Sequence, residues 1–459
     1  MPQADQRQHG SRLGLYGYLA FVISWFLHVP ERIPVLGVLR VDLLLVAFLA
    51  WLSWSNRGSS KAPMPTIERR LWLLIGFAVL MIPFAEWPGS VVKWGFPNLI
   101  KAVVFYYFTV AFVRSEADLR KFVWTFMGCE IFRVLEPLYL HLTSGYWGSG
   151  ASELGGREFL YRLSGSPSDV INPNGLAYVC CTAFLFLYFF RQSGRKQLLA
   201  FLLFSPAVLY ALALTGSRSG AIGLAVILVG IAVKSRRVVA MTALVVVVAV
   251  VTLPLLSPDM QDRYLSIIGR GTKNEATAGE RYAGLEAQWA VARRRLLTGY
   301  GLGASSEANF HYTTFGPYVG LTLPAHNLYM EAVEELGIFG LVIVIAFMVA
   351  VVNSFFRANW RSNSQSTGPP DLFMGRLLDT MQVWLVMAVV ESFASYGLSN
   401  YEWYLFAGLS IVMQRIRSEP NSNVTPAAAT APRGGERLAL TRTAGASRGG
   451  RGGARDRVG

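Results

Sequence analysis

Charge is scarce in this sequence, and so is cysteine. Charged residues make up 15% of its 459 residues, against about 25% in an ordinary globular domain. A disordered chain or a charge-flanked coiled coil is excluded by that balance. The three cysteines, Cys129, Cys180 and Cys181, all lie inside apolar segments. They exclude a disulfide-stapled secreted domain and read as small buried apolar residues. No CxxC, HExxH or P-loop occurs, so no metal or nucleotide signature is present. No internal repeat is evident. The polar start MPQADQRQHGSRLG leads into an apolar run that ends at His28, Glu31 and Arg32 without a small-residue cleavage site. That run reads as a retained signal anchor.

What is present is apolar surface in long runs. Hydrophobic residues make up 53% of the chain, and the mean hydropathy is +0.38. The stretch 238–256 carries no charge, over nearly the ~20 residues a helix needs to cross a bilayer. Twelve such segments are expected, at about 14–28, 33–54, 71–85, 97–113, 119–142, 174–190, 198–216, 219–233, 238–256, 326–352, 377–397 and 401–414. The fold class is therefore all-α, a polytopic transmembrane helix bundle of about 12 spans.

Lys and Arg orient the bundle. With the N-terminus cytoplasmic, each inner connection carries at least two basic residues, such as Lys234, Arg236 and Arg237. The short outer connections are nearly bare of them. Both termini are expected inside a bacterial cytoplasmic (inner) membrane, with the long loop 257–325, between spans 9 and 10, outside. This bias accounts for most of the +14 net charge, so no nucleic acid partner is expected. Residues 1–418 are read as the membrane domain. Residues 419–459, ending SRGGRGGARDRVG, read as a disordered basic cytoplasmic tail loosely attracted to anionic membrane lipids.

Two outer regions are long enough to hold a site. In 143–173, rich in Gly and Ser, Asn172 is a candidate N-cap and Pro173 a candidate first helical residue. A helix N-terminus there is also able to bind an anion. In 257–325, Thr277 to Glu280 resembles a capping box. The helix it opens should end near Gly299, with Tyr282, Leu285, Trp289, Ala292 and Leu296 on one apolar face and Arg281 at its edge. Arg293, Arg294 and Arg295 point in three directions and read as solvated surface. Arg218 sits between two apolar spans at their outer end, where a charge is a functional candidate by default. His326 opens a span at a helix N-terminus, where the macrodipole disfavours its protonation. Arginine suits phosphate through its planar, permanently charged fork, and a neutral imidazole suits a proton acceptor. The outer acids are scattered, so no metal or other cofactor is expected. Two arginines and a histidine without a metal fit transfer from a lipid diphosphate.

The chain resembles the bacterial O-antigen ligase and polymerase superfamily. The resemblance lies in NPNGLA at 172–177, LTGSRSGAIGL at 214–224, ERYAGLEAQW at 280–289, LLTGYGLGA at 296–304 and AHNLYMEAVEELGIFGLV at 325–342, in the family's order. A ligase-like core at about 172–342 follows. The resemblance implies a membrane glycosyltransferase using an undecaprenyl-diphosphate-linked glycan and a glycan or lipid acceptor, with inversion at the anomeric centre. It implies that Arg218 and Arg281 hold the diphosphate and that His326 contacts the acceptor hydroxyl as base or positioner. Asn172, Asn174 and Asn327 are further substrate-binding candidates. NPNG stands where many relatives carry DPNG, which leaves Asp169 as a substitute. The motifs follow the shared donor chemistry and do not separate acceptors; a ligase is favoured, with a repeat-unit polymerase as the alternative. A lipid-linked glycan transporter is the competing class, with Arg40, Asp42, Glu86, Lys101, Glu130, Arg133, Glu136, Glu391 and Glu402 as a charged path.

Overall fold

The structure is a computed structural model that describes residues 2–55, 64–148, 161–235, 243, 258–265, 276–316, 319–321, 327–357, 372–395 and 397–418. Its helices are α1 (Pro2–Phe26), α2 (Val29–Arg32), α3 (Pro34–Val38), α4 (Val41–Ser55), α5 (Thr66–Leu80), α6 (Pro88–Ser90), α7 (Phe96–Phe112), α8 (Glu116–Ser144), α9 (Pro173–Phe190), α10 (Arg195–Leu214) and α11 (Arg218–Ser235). There follow α12 (Pro258–Leu265), α13 (Ala276–Ala292), α14 (Ser305–Tyr312), α15 (Leu328–Phe356), α16 (Leu372–Glu391) and α17 (Tyr401–Ser418). Among the described residues there is no strand, so the fold is all-α.

Among the described residues six helical stretches are long and apolar enough to cross a membrane: Pro88–Phe112, Pro173–Ser193, Arg195–Leu214, Arg218–Ser235, Leu328–Phe356 and Leu372–Glu391. The other expected segments also fall on helices, apart from 238–256, which lies outside the described residues. The segment 33–54 is not one helix. It breaks between α3 and α4 at Arg40, whose φ is 49°. The 257–325 region is not a simple loop, since α12, α13 and α14 fold within it.

The core forms around α9, which packs against α8, α10, α11 and α16. Trp384 of α16 sits at its centre, against Phe126, Phe186 and Phe406 at ring-centroid distances of 5.4, 5.2 and 4.7 Å. Its indole N–H donates to the Tyr178 hydroxyl at 3.0 Å, which satisfies the one polar atom of a large buried ring. By contrast α10 exposes Leu198, Leu199, Leu202 and Leu203. Such a face is stable against lipid, where apolar exposure carries no penalty. Cys129, Cys180 and Cys181 are buried thiols.

Helix α15 is two helices in one. Gly337 interrupts it at φ 68°. Before it, Glu331–Gly337 are buried on every side. After it, Phe339, Val342, Ile345 and Val349 face outward. At 1.5 Å per residue the part beyond Gly337 is about as long as a hydrocarbon core is thick. The N-terminal part is wrapped by protein instead.

Candidate functional site

The C-termini of α8, α10 and α16 and the N-termini of α9, α11, α15 and α17 share one end of the bundle. Short hydrogen bonds hold these ends together. Asn172 caps α9 by accepting from Gly175 N at 2.8 Å, with Pro173 in the first turn. Gly216, at φ 55°, turns the chain after α10. Ser217 then caps α11 by accepting from Gly220 N at 3.1 Å. Arg218 is thus the first residue of α11, half-buried. A cation at that position opposes the helix dipole, whereas an anion there is favoured.

Asn174 ties the two turns together. Its Oδ1 accepts from Ser217 Oγ at 2.9 Å and from Arg162 Nη2 at 2.8 Å. Arg162 Nε also donates to the Thr215 carbonyl at 2.7 Å. Arg162 was not among the sequence candidates. Its only signal is an isolated cation in a Gly- and Ser-rich run.

The segment before Asn172 is anchored by charge. Asp169, fully buried, pairs with Arg133 Nε of α8 at 2.7 Å. Glu130 lies 3.3 Å from the same guanidinium. His28 Nδ1 is 3.6 Å from Asp169 Oδ1, and the neighbouring Arg32 pairs with Glu136. Asp169 therefore serves here as an ion-pair partner.

On the other side, Asn327 caps α15, accepting from Tyr329 N at 2.9 Å and Met330 N at 3.1 Å. Its amide donates to the Phe393 carbonyl at 3.2 Å. Glu331 accepts from the backbone N–H groups of Gly397 and Leu398 at 2.8 and 3.1 Å. The α16–α17 turn is thereby fixed to the start of α15. His326, immediately before the cap, lies outside the described residues.

The GYGLG turn closes the far side of α15. Tyr300 N donates to the Glu334 carbonyl at 2.7 Å and Gly301 N to the Glu335 carbonyl at 2.9 Å. Those carbonyls lose helical partners at the Gly337 break, and the turn replaces them. Ser305 Oγ donates to the Glu335 carboxylate at 2.9 Å. Tyr300 is stacked on Trp87 and Tyr312, with centroids 5.9 and 5.5 Å away. Burial pushes its phenol up to about 12.

Helix α13 packs on α14 and α15, with its expected face corrected. Of that face Ala292 is buried as expected, but Leu285 and Trp289 are exposed, and Gly284, Ala287, Gln288 and Val291 are buried in their place. Small residues let the backbones approach, and the large apolar ones face out. Arg281 belongs to this helix, in the register of Gly284 and Gln288, but its side chain lies outside what the structure describes. Arg293 and Arg294 are exposed as expected. Arg295 is not simply solvated: it pairs with Glu86 at 3.1 Å.

A cavity of about 480 Å³ opens among these helix ends. Asn172, Asn174 and Ser219 line one side, and Arg133 lies on it too. Leu328, Glu391, Asn400 and Glu402 line the other. Two sequence candidates, Asn172 and Asn174, are brought directly to it. Arg218 and Asn327 are one residue away in sequence from lining residues. Among the described residues no group of three or more His, Cys, Asp or Glu has metal-binding geometry.

Residues 198–345 match the family model described as O-antigen ligase. Over that part, about a third of the chain, the protein is similar to the O-antigen ligase superfamily, a family of glycan-processing enzymes, ligases and polymerases. The match takes in Arg218, Arg281, His326, Asn327 and the Gly337 break, and leaves Arg133, Asn172 and Asn174 outside. No curated protein matches the chain.

Proposed function

We propose that the protein is an O-antigen ligase-like glycosyltransferase. It moves a glycan from an undecaprenyl-diphosphate donor to an acceptor hydroxyl, without a metal. In this reading the chain has twelve spans with both termini cytoplasmic, and the cavity opens to the outer face of the inner membrane. The observation that carries the reading is the cavity. The turn bearing Arg218 and the cap following His326 border the same space, through Ser219 and Leu328.

The chemistry follows from the residue types. The acceptor oxygen attacks the anomeric carbon from the side opposite the diphosphate. The bond between that carbon and the phosphate oxygen breaks, with inversion. Charge building on the leaving diphosphate is held by Arg218 and Arg281, whose forks match phosphate oxygens. The α11 N-terminus adds its dipole. His326 takes the acceptor proton late, because a sugar hydroxyl is a far weaker acid than imidazolium.

A transporter would distribute charge through the depth of the bundle. Here Glu391 and Glu402 sit at helix ends beside the cavity, and Glu130 and Arg133, near the middle of α8, are tied to each other at 3.3 Å. Glu86 pairs with Arg295 outside the bundle core. This placement favours the enzyme.

The test is transfer by purified protein in nanodiscs with lipid-linked glycan. Arg218→Ala should lower the rate about ten- to a hundredfold, the worth of one charge-assisted contact. Lys should rescue it poorly. His326→Ala should lose ~10²–10⁴, and His326→Gln separates proton acceptor from positioner. Lipid translocation without a new glycosidic bond would refute the assignment. Supplying lipid A core or a second lipid-linked repeat unit as acceptor separates ligase from polymerase.

A further inference from the structure

The cavity has two chemically different sides. The Arg218 side offers a helix N-terminus, Ser219 and the Asn174 hub. The α16–α17 side offers Glu391, Asn400 and Glu402 with the rings of Tyr401 and Trp403. Glu391 reaches toward α11 one turn below Ser219: a Cβ on Gly223 would meet its Oε1 at 3.1 Å. Arg133 also lines the cavity, and Asp169 and Glu130 flank its guanidinium at 2.7 and 3.3 Å.

Such a wall does not favour phosphate. Carboxyl groups accept hydrogen bonds and, unlike arginine, supply no fixed positive charge. A neutral polyol is the ligand that matches it. Sugar hydroxyls donate to carboxylates and to the Asn carbonyl, and the Asn amide donates back. The wall is also rigid. Its turn is fixed to α15 by Asn327 and Glu331, and Tyr404 OH donates to the Leu398 carbonyl at 2.7 Å.

We propose that the α16–α17 wall of the cavity, through Asn400 and Glu402 and with Glu391 below, is the subsite for the donor's first sugar, set beside the diphosphate position at Arg218. This rests on the reading of Arg218 as a diphosphate contact. It adds that sugar and diphosphate are recognised by separate, oppositely polarised walls. It also places the anomeric carbon between them, under the cap that follows His326.

Two probes separate the walls: a polyprenyl diphosphate bearing one pyranose, and the same lipid without sugar. Binding is measured to the full chain in nanodiscs. Wild type should hold the sugar-bearing lipid more tightly, and equal affinity would overturn the subsite without any variant. Glu402→Gln and Asn400→Ala should each weaken the sugar-bearing lipid about tenfold or more, the worth of a hydrogen bond to a charged or fully buried group. The sugar-free lipid should bind them as it binds wild type. Equal loss for both lipids, or loss for neither, would overturn the proposal. Arg218→Ala should weaken both lipids alike. If it leaves the sugar-free lipid unaffected, the diphosphate reading fails, and the sugar wall is judged separately on the first comparison.

Discussion

Arg133 and Asp169 form a buried ion pair, 2.7 Å from Nε to Oδ2, that joins the middle of α8 to the turn leading into Asn172. Both are almost wholly removed from solvent. Removing one partner of such a pair leaves an uncompensated buried charge, at a cost of ~3–5 kcal/mol. Asp169→Ala should therefore lower the melting temperature of the purified protein clearly. Glu130 offers Arg133 a remaining contact, so the loss should sit at the lower end of that range. A wild-type melting curve for Asp169→Ala would show that the pair does not hold this segment.

Asn172 and Asn174 lie two residues apart and should behave differently. Asn172 acts as a helix cap, so Asn172→Ala should cost about 1 kcal/mol of stability and leave transfer close to normal. Asn174 holds Ser217 and Arg162 against each other. Asn174→Ala releases the turn that carries Arg218, so transfer should fall more than stability does. Parallel melting and transfer measurements on the two variants check the contrast. Equal behaviour would mean that Asn174 does not position Arg218.

Much of this was legible in the sequence, for identifiable reasons. Long uncharged runs mark helices because an uncharged apolar helix needs no partner but lipid. Pro173 after Asn172 marks a helix start because each residue satisfies or removes an orphan N–H. The face of α13 was misread because apolarity marks the buried side only when the other side faces water. Beside a membrane, Leu285 and Trp289 are free to point out while Gly284 and Ala287 pack in. The break at Gly337 is hidden by continuous apolar sequence around it. Arg162 and the α16–α17 wall have no periodicity to reveal them, since turns bring them to the cavity. Arg133 reads in sequence as a cation between Glu130 and Glu136 in one span. Its partner Asp169 is distant along the chain.

The GYGLG turn and the α15 break interlock through glycine. A Cβ on Gly299 would fall 2.4 Å from the Glu335 backbone, and one on Gly337 would fall 2.5 Å from the Leu297 carbonyl. Their φ values, 67° and 68°, are left-handed. A side chain there costs ~1–3 kcal/mol in conformation alone, before any overlap. Gly320 has a similar φ of 71° with nothing within 4 Å of its Cβ position. Gly299→Ala and Gly337→Ala should thus destabilise more than Gly320→Ala, in thermal melts at one pH. If all three match, the turn and the break are not packed as described.

Tyr300 makes the stability of this region depend on alkaline pH. Its hydroxyl donates to the Val291 carbonyl at 3.0 Å, and its ring stacks on Trp87. Burial, aided by the negative Glu86 nearby, raises the phenol from 10.0 to about 12. The sign follows from proton binding. Between those values the unfolded chain has lost the phenolic proton while the folded chain keeps it, so rising pH favours unfolding. The contribution is complete below pH 10 and is lost as pH rises toward about 12. Tyr300→Phe removes both the titration and the hydrogen bond to Val291. At neutral pH the variant should be weaker by the ~0.5–1.5 kcal/mol that one buried hydrogen bond contributes. Across the alkaline window its melting temperature should fall less steeply than that of wild type. Other tyrosines titrate in both proteins, so the difference between the two curves isolates Tyr300. Parallel curves above pH 10 would mean that Tyr300 ionises as readily in the folded protein as in the unfolded one, and that the aromatic stack is open to water.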